Sequence, residues 1–494
     1  MDMNTLLSFN WSAMLPEFIV LGTATLLSLL DLFMGAKKDR RILGWIGLAG
    51  ISAALISLLS LFGPDEVTIL YDTFVLDPFA KAFKTIFLLG SAIVFLLAIS
   101  YDPKDKIERG EFYYLLLTAL LGAMIMSSSR DLITLFVGLE LLSLSSYILA
   151  GIRKKQLKSN EAALKYLVNG GISTALTLFG MSYLYGITGT TNLIEMQPQL
   201  NQINDPSIYY VLGISFLMIF VGLSFKIATV PFHMWAPDVY EGSPTPVTAF
   251  LSVVSKAAGF VLILRLFLWV FATIPVNSIS ESMLVSMQGF VAIVAAITMV
   301  VGNTIAIRQK NVKRMLAYSS IAHAGYLLVA LSSFSTLFYL DTIWFYLVTY
   351  VFMNLGAFAV LQLVMKETGS EDLTAFAGLA KRSPFIAISL TVFLLSLAGI
   401  PGTAGFIGKL SIFMSTLTSS TPQIVLAAIM IATTVISYIY YFGILTQVYF
   451  RTSEEVKKIH LKKPVILVLI VCIAGTILLG LFPTIALDFF YSTF

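Results

Sequence analysis

Glu140, Lys226, Lys256 and Lys409 are the residues whose type and placement could do chemistry, because each interrupts a long apolar run. Glu140 lies in DLITLFVGLELLSLSSYILAG, Lys226 in FLMIFVGLSFKIATVPFHMW, Lys256 in SVVSKAAGF and Lys409 in GIPGTAGFIGKLSIF. At 1.5 Å per helical residue, Glu140 stands about 13 Å from Asp131, and Lys256 about 13 Å from the start of its helix at 247, both near a bilayer centre. A charge at that depth costs about 2.5–3.5 kcal/mol on insertion scales. A lysine or carboxylate withdrawn from water shifts toward its neutral form, where it can take up and release protons. The expected chemistry is stepwise proton transfer along Glu140, Lys226, Lys256 and Lys409. A static Glu140–Lys226 ion pair that only joins two helices is the alternative, but it leaves two lysines with no carboxylate at matching depth. His323, in KRMLAYSSIAHAGYLL, could relay a proton or simply hydrogen-bond a neighbouring serine. His233 in PFHMW anchors a broken helix or lines an intake with Asp238 and Glu241; His460 is a loop residue.

The elements that carry these residues must be membrane spans. Of 494 residues 58% are hydrophobic and 12% charged, which excludes a soluble globule. Fourteen segments are apolar over roughly the 20 residues a crossing needs: near 14–34, 42–62, 78–99, 112–128, 132–150, 162–186, 208–235, 246–272, 283–303, 314–333, 341–365, 384–418, 423–449 and 464–487. Loops after odd-numbered spans hold 23 of the 31 Lys and Arg, among them Lys37, Lys104, Lys106, Lys457 and Lys458, and loops after even-numbered spans hold only Arg130. Basic residues stay on the cytoplasmic side, so both termini are expected outside a bacterial plasma membrane. The N-terminus lacks the basic region of a signal peptide, so the first stretch is expected to remain as a span. A net charge of +4 with no basic cluster on a soluble face speaks against a nucleic-acid partner. Lys81, Lys84 and Lys165 sit a turn inside their spans and are expected to snorkel, and Arg265 to snorkel or pair at an interface. The one cysteine, Cys472, leaves no intrachain disulfide and no Cys-ligated iron–sulfur cluster. No electron-transfer centre is expected on this chain.

Two spans are broken. Pro231 follows Lys226 by five residues, and Pro401, Gly402 and Gly405 interrupt the 35-residue segment that carries Lys409. Proline removes a helical hydrogen bond, and non-helical backbone at membrane depth is tolerated only inside protein or beside water. Lys226 and Lys409 are 183 residues apart, and YLV recurs at an offset of 180 in KYLVNGGISTALTLFG and FYLVTYVFMNLGAFAV. Two copies of a five-helix unit follow, with an odd helix count that forces opposite orientation. The expected fold is an all-α polytopic membrane protein of about 14 transmembrane helices with two inverted five-helix repeats and discontinuous helices 7 and 12. Its segments are residues 1–107 (three helices), 108–275 (helices 4–8), 276–450 (helices 9–13) and 451–494 (helix 14). Glu140 finds no counterpart in the tenth span, which offers His323 instead. Lys409, about 25 residues into a helix from the cytoplasmic side, is nearer the outer face and is the candidate exit.

FKIATVPFHMWAPDVYEGSPTPVTAFLSVVSKAAGF, KRMLAYSSIAHAGY and LAGIPGTAGFIGK together resemble the antiporter-like membrane subunits of bacterial NADH-quinone oxidoreductase, respiratory complex I, and of the related multisubunit cation/proton antiporters. The resemblance spans about residues 110 to 450. It implies that Glu140 with Lys226 is the pair that couples to neighbouring subunits, Lys256 the central relay and Lys409 the residue from which the proton leaves. Within that family, subunit M carries glutamate where this chain has Lys409, and subunit L has a long C-terminal lateral helix that this chain lacks. The resemblance implies partners among the other membrane subunits of complex I, subunit M and the small ones included. NADH, flavin, iron–sulfur clusters and quinone would bind on partner subunits, with no cofactor or metal here, which agrees with the lack of any phosphate-binding glycine loop. The alternative is a subunit of a sodium/proton antiporter, marked by sodium-dependent flux without an electron donor. A passive scaffold with structural lysines is the third reading.

Overall fold

A computed structural model describes residues 7–35, 38–101, 109–203, 205–272, 274, 282–333, 339–419, 422–452, 459, 461–487 and 489. Lys37, Lys104, Lys106, Lys457, Lys458 and His460, and the segment boundaries at 107/108 and 275/276, lie outside the described residues. Among those described, twelve helices are long and apolar enough to cross a membrane. The fourteen read from sequence count two segments more. One is Leu157–Thr188, 32 residues long, whose Asn, Ser, Thr and Tyr dilute its apolar character. The other is the Lys409 segment, which forms two 15-residue helices, Pro384–Ala398 and Ala404–Thr418. A short hairpin, Val67–Ile69 paired antiparallel with Phe74–Leu76, is the only sheet among the described residues.

Local chemistry sets the helix limits. Asp77 accepts from Ala80 N at 2.8 Å and starts Pro78–Ser100 with proline in its first turn. Asp131 accepts from Thr134 N at 3.0 Å and starts Leu132–Ala150, and Asn311 accepts from Arg314 N at 3.2 Å and starts Val312–Ser332. Each side-chain oxygen satisfies one of the orphan N–H groups at a helix start.

Both breaks close in the same manner. Pro206–Ile227 stops at Ala228 in the left-handed conformation (φ 58°), with Thr229 N donating to Ser224 O at 2.9 Å. Pro384–Ala398 stops at left-handed Gly399 (φ 83°), with Ile400 N donating to Leu395 O at 3.0 Å. Beyond the first break, Trp235 opens the short helix Trp235–Gly242, stacks on Tyr166 at 4.4 Å and donates its indole N–H to Phe225 O at 2.9 Å. Phe225 O also accepts from Ala228 N at 3.0 Å, so the indole adds a second bond at the end of the interrupted helix.

A register of 180 residues runs through the chain. An isolated bridge pairs Asp131 with Asn192, and another pairs Asn311 with Asp372. Leu132 N donates to Thr191 O at 2.9 Å, and Val312 N to Glu371 O at 2.8 Å. Gly189 (φ 72°) ends one long helix and Gly369 (φ 70°) another, at a position where any other residue is strained. Gly122 lies against the backbone of Gly138 and Leu142, and Gly302 against that of Tyr318 and Ala322. Each pair of equivalents is 180 apart.

Three helices form the centre. Thr245–Phe271, which carries Lys256, is wholly buried along its apolar window, and Val312–Ser332 and Leu340–Thr368 nearly so. The two N-terminal helices and the last two, by contrast, leave most of their apolar windows uncovered. In a membrane protein that is the surface that meets lipid or a neighbouring chain.

One cation departs from its sequence reading. Lys84 does not snorkel: it is fully buried and pairs with buried Glu17 at 2.5 Å, while its ammonium stands 4.9 Å from the Phe74 ring centre. Glu17 opens the first long helix, Leu15–Phe33, and brings a carboxylate within reach that removes any need to extend toward headgroups.

Candidate functional site

Lys226 occupies the last turn before the first break and is 4% exposed. Its ammonium donates to Ser143 Oγ at 3.0 Å. Ser143 sits one turn beyond Glu140 on Leu132–Ala150. Glu140 is half-buried; its Oε1 is shielded from solvent with no hydrogen-bond partner, and no Glu140 oxygen lies within 4.0 Å of the Lys226 ammonium. The two are electrostatic neighbours, and the Ser143 hydroxyl, not a Glu140 oxygen, receives the ammonium.

Lys256 follows a wide, π-helical turn, Leu251–Ser255, which inserts one extra residue per turn and re-aims the side chain after it. Its ammonium reaches across to Val312–Ser332 and donates to Ser320 O at 2.7 Å and Ser320 Oγ at 2.5 Å. Asn354 fixes the wide turn by donating to Ser252 Oγ at 2.9 Å. One turn past Ser320, buried His323 bonds through Nδ1 to Tyr346 OH at 2.5 Å and through Nε2 to Tyr441 OH at 3.2 Å.

Lys409 lies beyond the second break and turns back on it. Its ammonium donates to Leu397 O at 2.9 Å and Ala398 O at 3.1 Å, the free carbonyls at the end of Pro384–Ala398, where the helix dipole favours a cation. The face of Tyr326 covers it at 4.8 Å. A cavity of about 280 Å³, lined by Lys409, Phe406, Thr434 and Tyr438 among others, lies beside it.

Several other buried or half-buried cations meet carboxylates instead, whereas buried Lys81 bonds backbone carbonyls. Arg265 makes a bidentate pair with Asp77 at 2.6 and 2.8 Å and bonds Ser127 O, which places it in the pairing role. Lys81 bonds Gly63 O and Asp65 O in the loop before it at 2.9 and 2.8 Å. Lys165 pairs with Asp238 and Glu161, Lys158 with Glu241, and Arg314 with both Asp238 and Glu241, at 2.6 to 2.9 Å. Burial raises Asp238 and Glu241, but the Lys165 and Lys158 ammonium groups and the Arg314 guanidinium outweigh it and hold both below the usual carboxylate range. Asp238 and Glu241 are thus committed to ion pairs rather than lining an open intake, while His233 packs edge-on to Tyr318 with Nδ1 unpartnered.

Ser143 and Ser320, which receive Lys226 and Lys256, and Tyr346 and Tyr441, which bond His323, are neighbours that the charged side chains alone do not reveal. The 180-residue register was the signal for two of them: applied to Glu140 it lands on Ser320, and applied to Ser143 it lands on His323. Among the described residues no group of three His, Cys, Asp or Glu side chains is placed to hold a metal.

Residues 129–437 match the family described as NADH:quinone oxidoreductase/Mrp antiporter, transmembrane. The chain is 58% identical to NADH-quinone oxidoreductase subunit N of Anoxybacillus flavithermus over 99% of its own length and 98% of that protein's. Its fold matches a chain of respiratory complex I from Thermus thermophilus with a TM-score of 0.79 and 31% identity, over 96% of this chain and 99% of that one. A chain of an archaeal membrane-bound sulfane sulfur reductase matches with a TM-score of 0.85 and 26% identity, over 97% and 96%.

Proposed function

This chain belongs to the NADH:quinone oxidoreductase/Mrp antiporter family of membrane subunits, and from that premise we propose that it is a proton-translocating membrane subunit of an NADH-quinone oxidoreductase. Quinone reduction on partner subunits drives proton transfer through Glu140, Lys226, Lys256 and Lys409, while no redox step occurs on this chain. The subunit works beside subunit M and the small membrane subunits, in a bacterial plasma membrane with both termini outside, as the loop charges favour. Residues 108–275 and 276–450 act as two oppositely oriented units, flanked by 1–107 and 451–494.

One observation carries this reading: Lys226, Lys256 and Lys409 bond only to neutral oxygens, whereas Lys84, Lys165 and Arg265 each hold a carboxylate. A buried ammonium locked to a carboxylate stays charged, because breaking such a pair leaves a lone charge in a poor solvent. A lysine on a hydroxyl or a carbonyl gives up its proton without stranding an anion. It is therefore the type of group a relay requires.

The test is NADH-driven acidification by vesicles carrying the assembled complex. Lys256→Ala and Lys409→Ala are each expected to reduce pumping about tenfold or more with assembly intact, in line with loss of a positioned proton carrier. Normal pumping by both variants would overturn the relay, and sodium-dependent proton flux without an electron donor would point to the antiporter reading instead.

A further inference from the structure

Lys256 follows a turn that a buried helix of its length does not need. Ile424–Phe450 runs its 27 residues as plain α-helix. Thr245–Phe271 widens at Leu251–Ser255, directly before Lys256, and again at Phe267–Phe271, beyond Arg265. The first wide turn holds one residue more than the helix around it.

That helix is tied to other elements on both sides of the turn. Thr248 Oγ1 donates to Tyr240 O at 3.0 Å, and Arg265 holds Asp77 and Ser127 O. Rotation of the whole helix therefore cannot expel the extra residue, which can only move along it. If it passed Lys256, that side chain would turn by about 100° and shift by about 1.5 Å, the step of one α-helical residue. The ammonium would then leave Ser320.

Two neighbouring helices grip the wide turn. Asn354, buried on Leu340–Thr368, donates to Ser252 Oγ at 2.9 Å, and Ser252 Oγ donates in turn to Ala249 O at 2.9 Å. On Pro78–Ser100, Gly90 leaves the room that Val254 fills: a β-carbon there would stand 3.0 Å from Val254 Cγ2. The gripping helices are also fixed to each other. The Trp344 indole N–H donates to Ala82 O at 3.2 Å, and the Gln362 side-chain amide donates to Leu97 O at 3.0 Å. Asn354 lies between Trp344 and Gln362 along one helix, and Gly90 between Ala82 and Leu97 along the other, so the jaws are closed before and after the grip.

We propose that Asn354 and Gly90 are positioning residues, which keep the extra residue ahead of Lys256 and so keep its ammonium aimed at Ser320. Neither bonds the ammonium, whose partners are Ser320 O and Ser320 Oγ; each acts through the backbone of Leu251–Ser255. Pro78–Ser100, which carries no relay lysine, thereby takes part in the relay as one jaw. This role rests on the relay reading of Lys256.

The experiment measures NADH-driven acidification by vesicles carrying the assembled complex, with assembly scored separately. Asn354→Leu keeps the bulk and removes the amide, and is expected to lower pumping about tenfold, since a misaimed proton carrier is nearly a lost one. Deletion of Val254 removes the extra residue itself and leaves Lys256 in line with Arg265 on an ordinary helix. The deletion alone is expected to pump as the unaltered chain does and, combined with Asn354→Leu, to restore pumping, a rescue that the mere loss of a packing contact would not show. Gly90→Val crowds Val254 and is expected to slow pumping severalfold, and Val254→Ala to restore it; this pair decides where Asn354→Leu or the deletion does not assemble. Normal pumping by Asn354→Leu and Gly90→Val, or slowed pumping that neither compensating change restores, would overturn the grip. Lys256→Ala, run in parallel, separates the outcomes: if it loses pumping while Asn354→Leu and Gly90→Val do not, the relay stands and the grip falls. If Lys256→Ala pumps normally, the relay itself fails.

Discussion

Residues 130–193 and 310–373 share bridges, caps and left-handed glycines at one offset, yet their polar interiors differ. In the first, position 140 is a glutamate and position 143 a serine that receives Lys226. In the second, the equivalent positions are Ser320, which receives Lys256, and His323, held by two tyrosines. Tyr166 and Tyr346 occupy the same place in the register, but Tyr166 stacks on Trp235 while Tyr346 bonds the imidazole. The lysines at the breaks diverge as well: Lys226 ends the helix before its break, while Lys409 lies beyond its own and reaches back. The scaffold is set by backbone contacts that tolerate little change. Its polar contents are free to differ, and one half holds a carboxylate where the other holds a neutral chain of donors and acceptors.

Placing in the second half what the first half has should break that difference. Ser320→Glu gives Lys256 a carboxylate partner, and a pair that favours the ammonium by only about 1.4 kcal/mol lowers the neutral fraction tenfold. Pumping is expected to fall by at least that factor while the complex still assembles; unchanged pumping would mean Lys256 never needs to lose its charge. A smaller effect should separate the serines. Ser143→Ala removes the oxygen that Lys226 donates to, whereas Ser320→Ala leaves Lys256 its backbone carbonyl. A single hydrogen bond is worth about 0.5–1.5 kcal/mol net, so Ser143→Ala should slow pumping severalfold and Ser320→Ala less. The smallest effect should be the most symmetrical. Gly189→Ala and Gly369→Ala each force a side chain into the left-handed region at a cost of about 1–2 kcal/mol, and thermal unfolding in detergent should show equal losses. Unequal losses would show that the register does not carry equal loads in its two copies.

Much of this is legible in the sequence itself. Pro231 and Pro401 mark both breaks, and the apolar runs around Lys226, Lys256 and Lys409 leave those lysines no escape to water. Lys84 was misread because a basic residue near a helix start usually reaches headgroups, and nothing local to it announces Glu17, which arrives from a different helix. The acceptors of the relay lysines stayed hidden for a different reason. Serine is at home on a helix interior, so Ser143 and Ser320 stand out only once tertiary packing faces them to an ammonium. Tyr346 and Tyr441 read as apolar mass, and 118 residues separate His323 from Tyr441. Such a contact is a property of topology and not of any window of sequence.

The two buried ion pairs near the N-terminus differ in reach. Glu17 and Lys84 meet within the first hundred residues, so a nascent chain can neutralise them before the rest is translated. Asp77 must wait for Arg265, 188 residues further on. A three-helix fragment thus carries a buried acid whose strongest partner lies outside it, and that partner arrives only with the helix Thr245–Phe271.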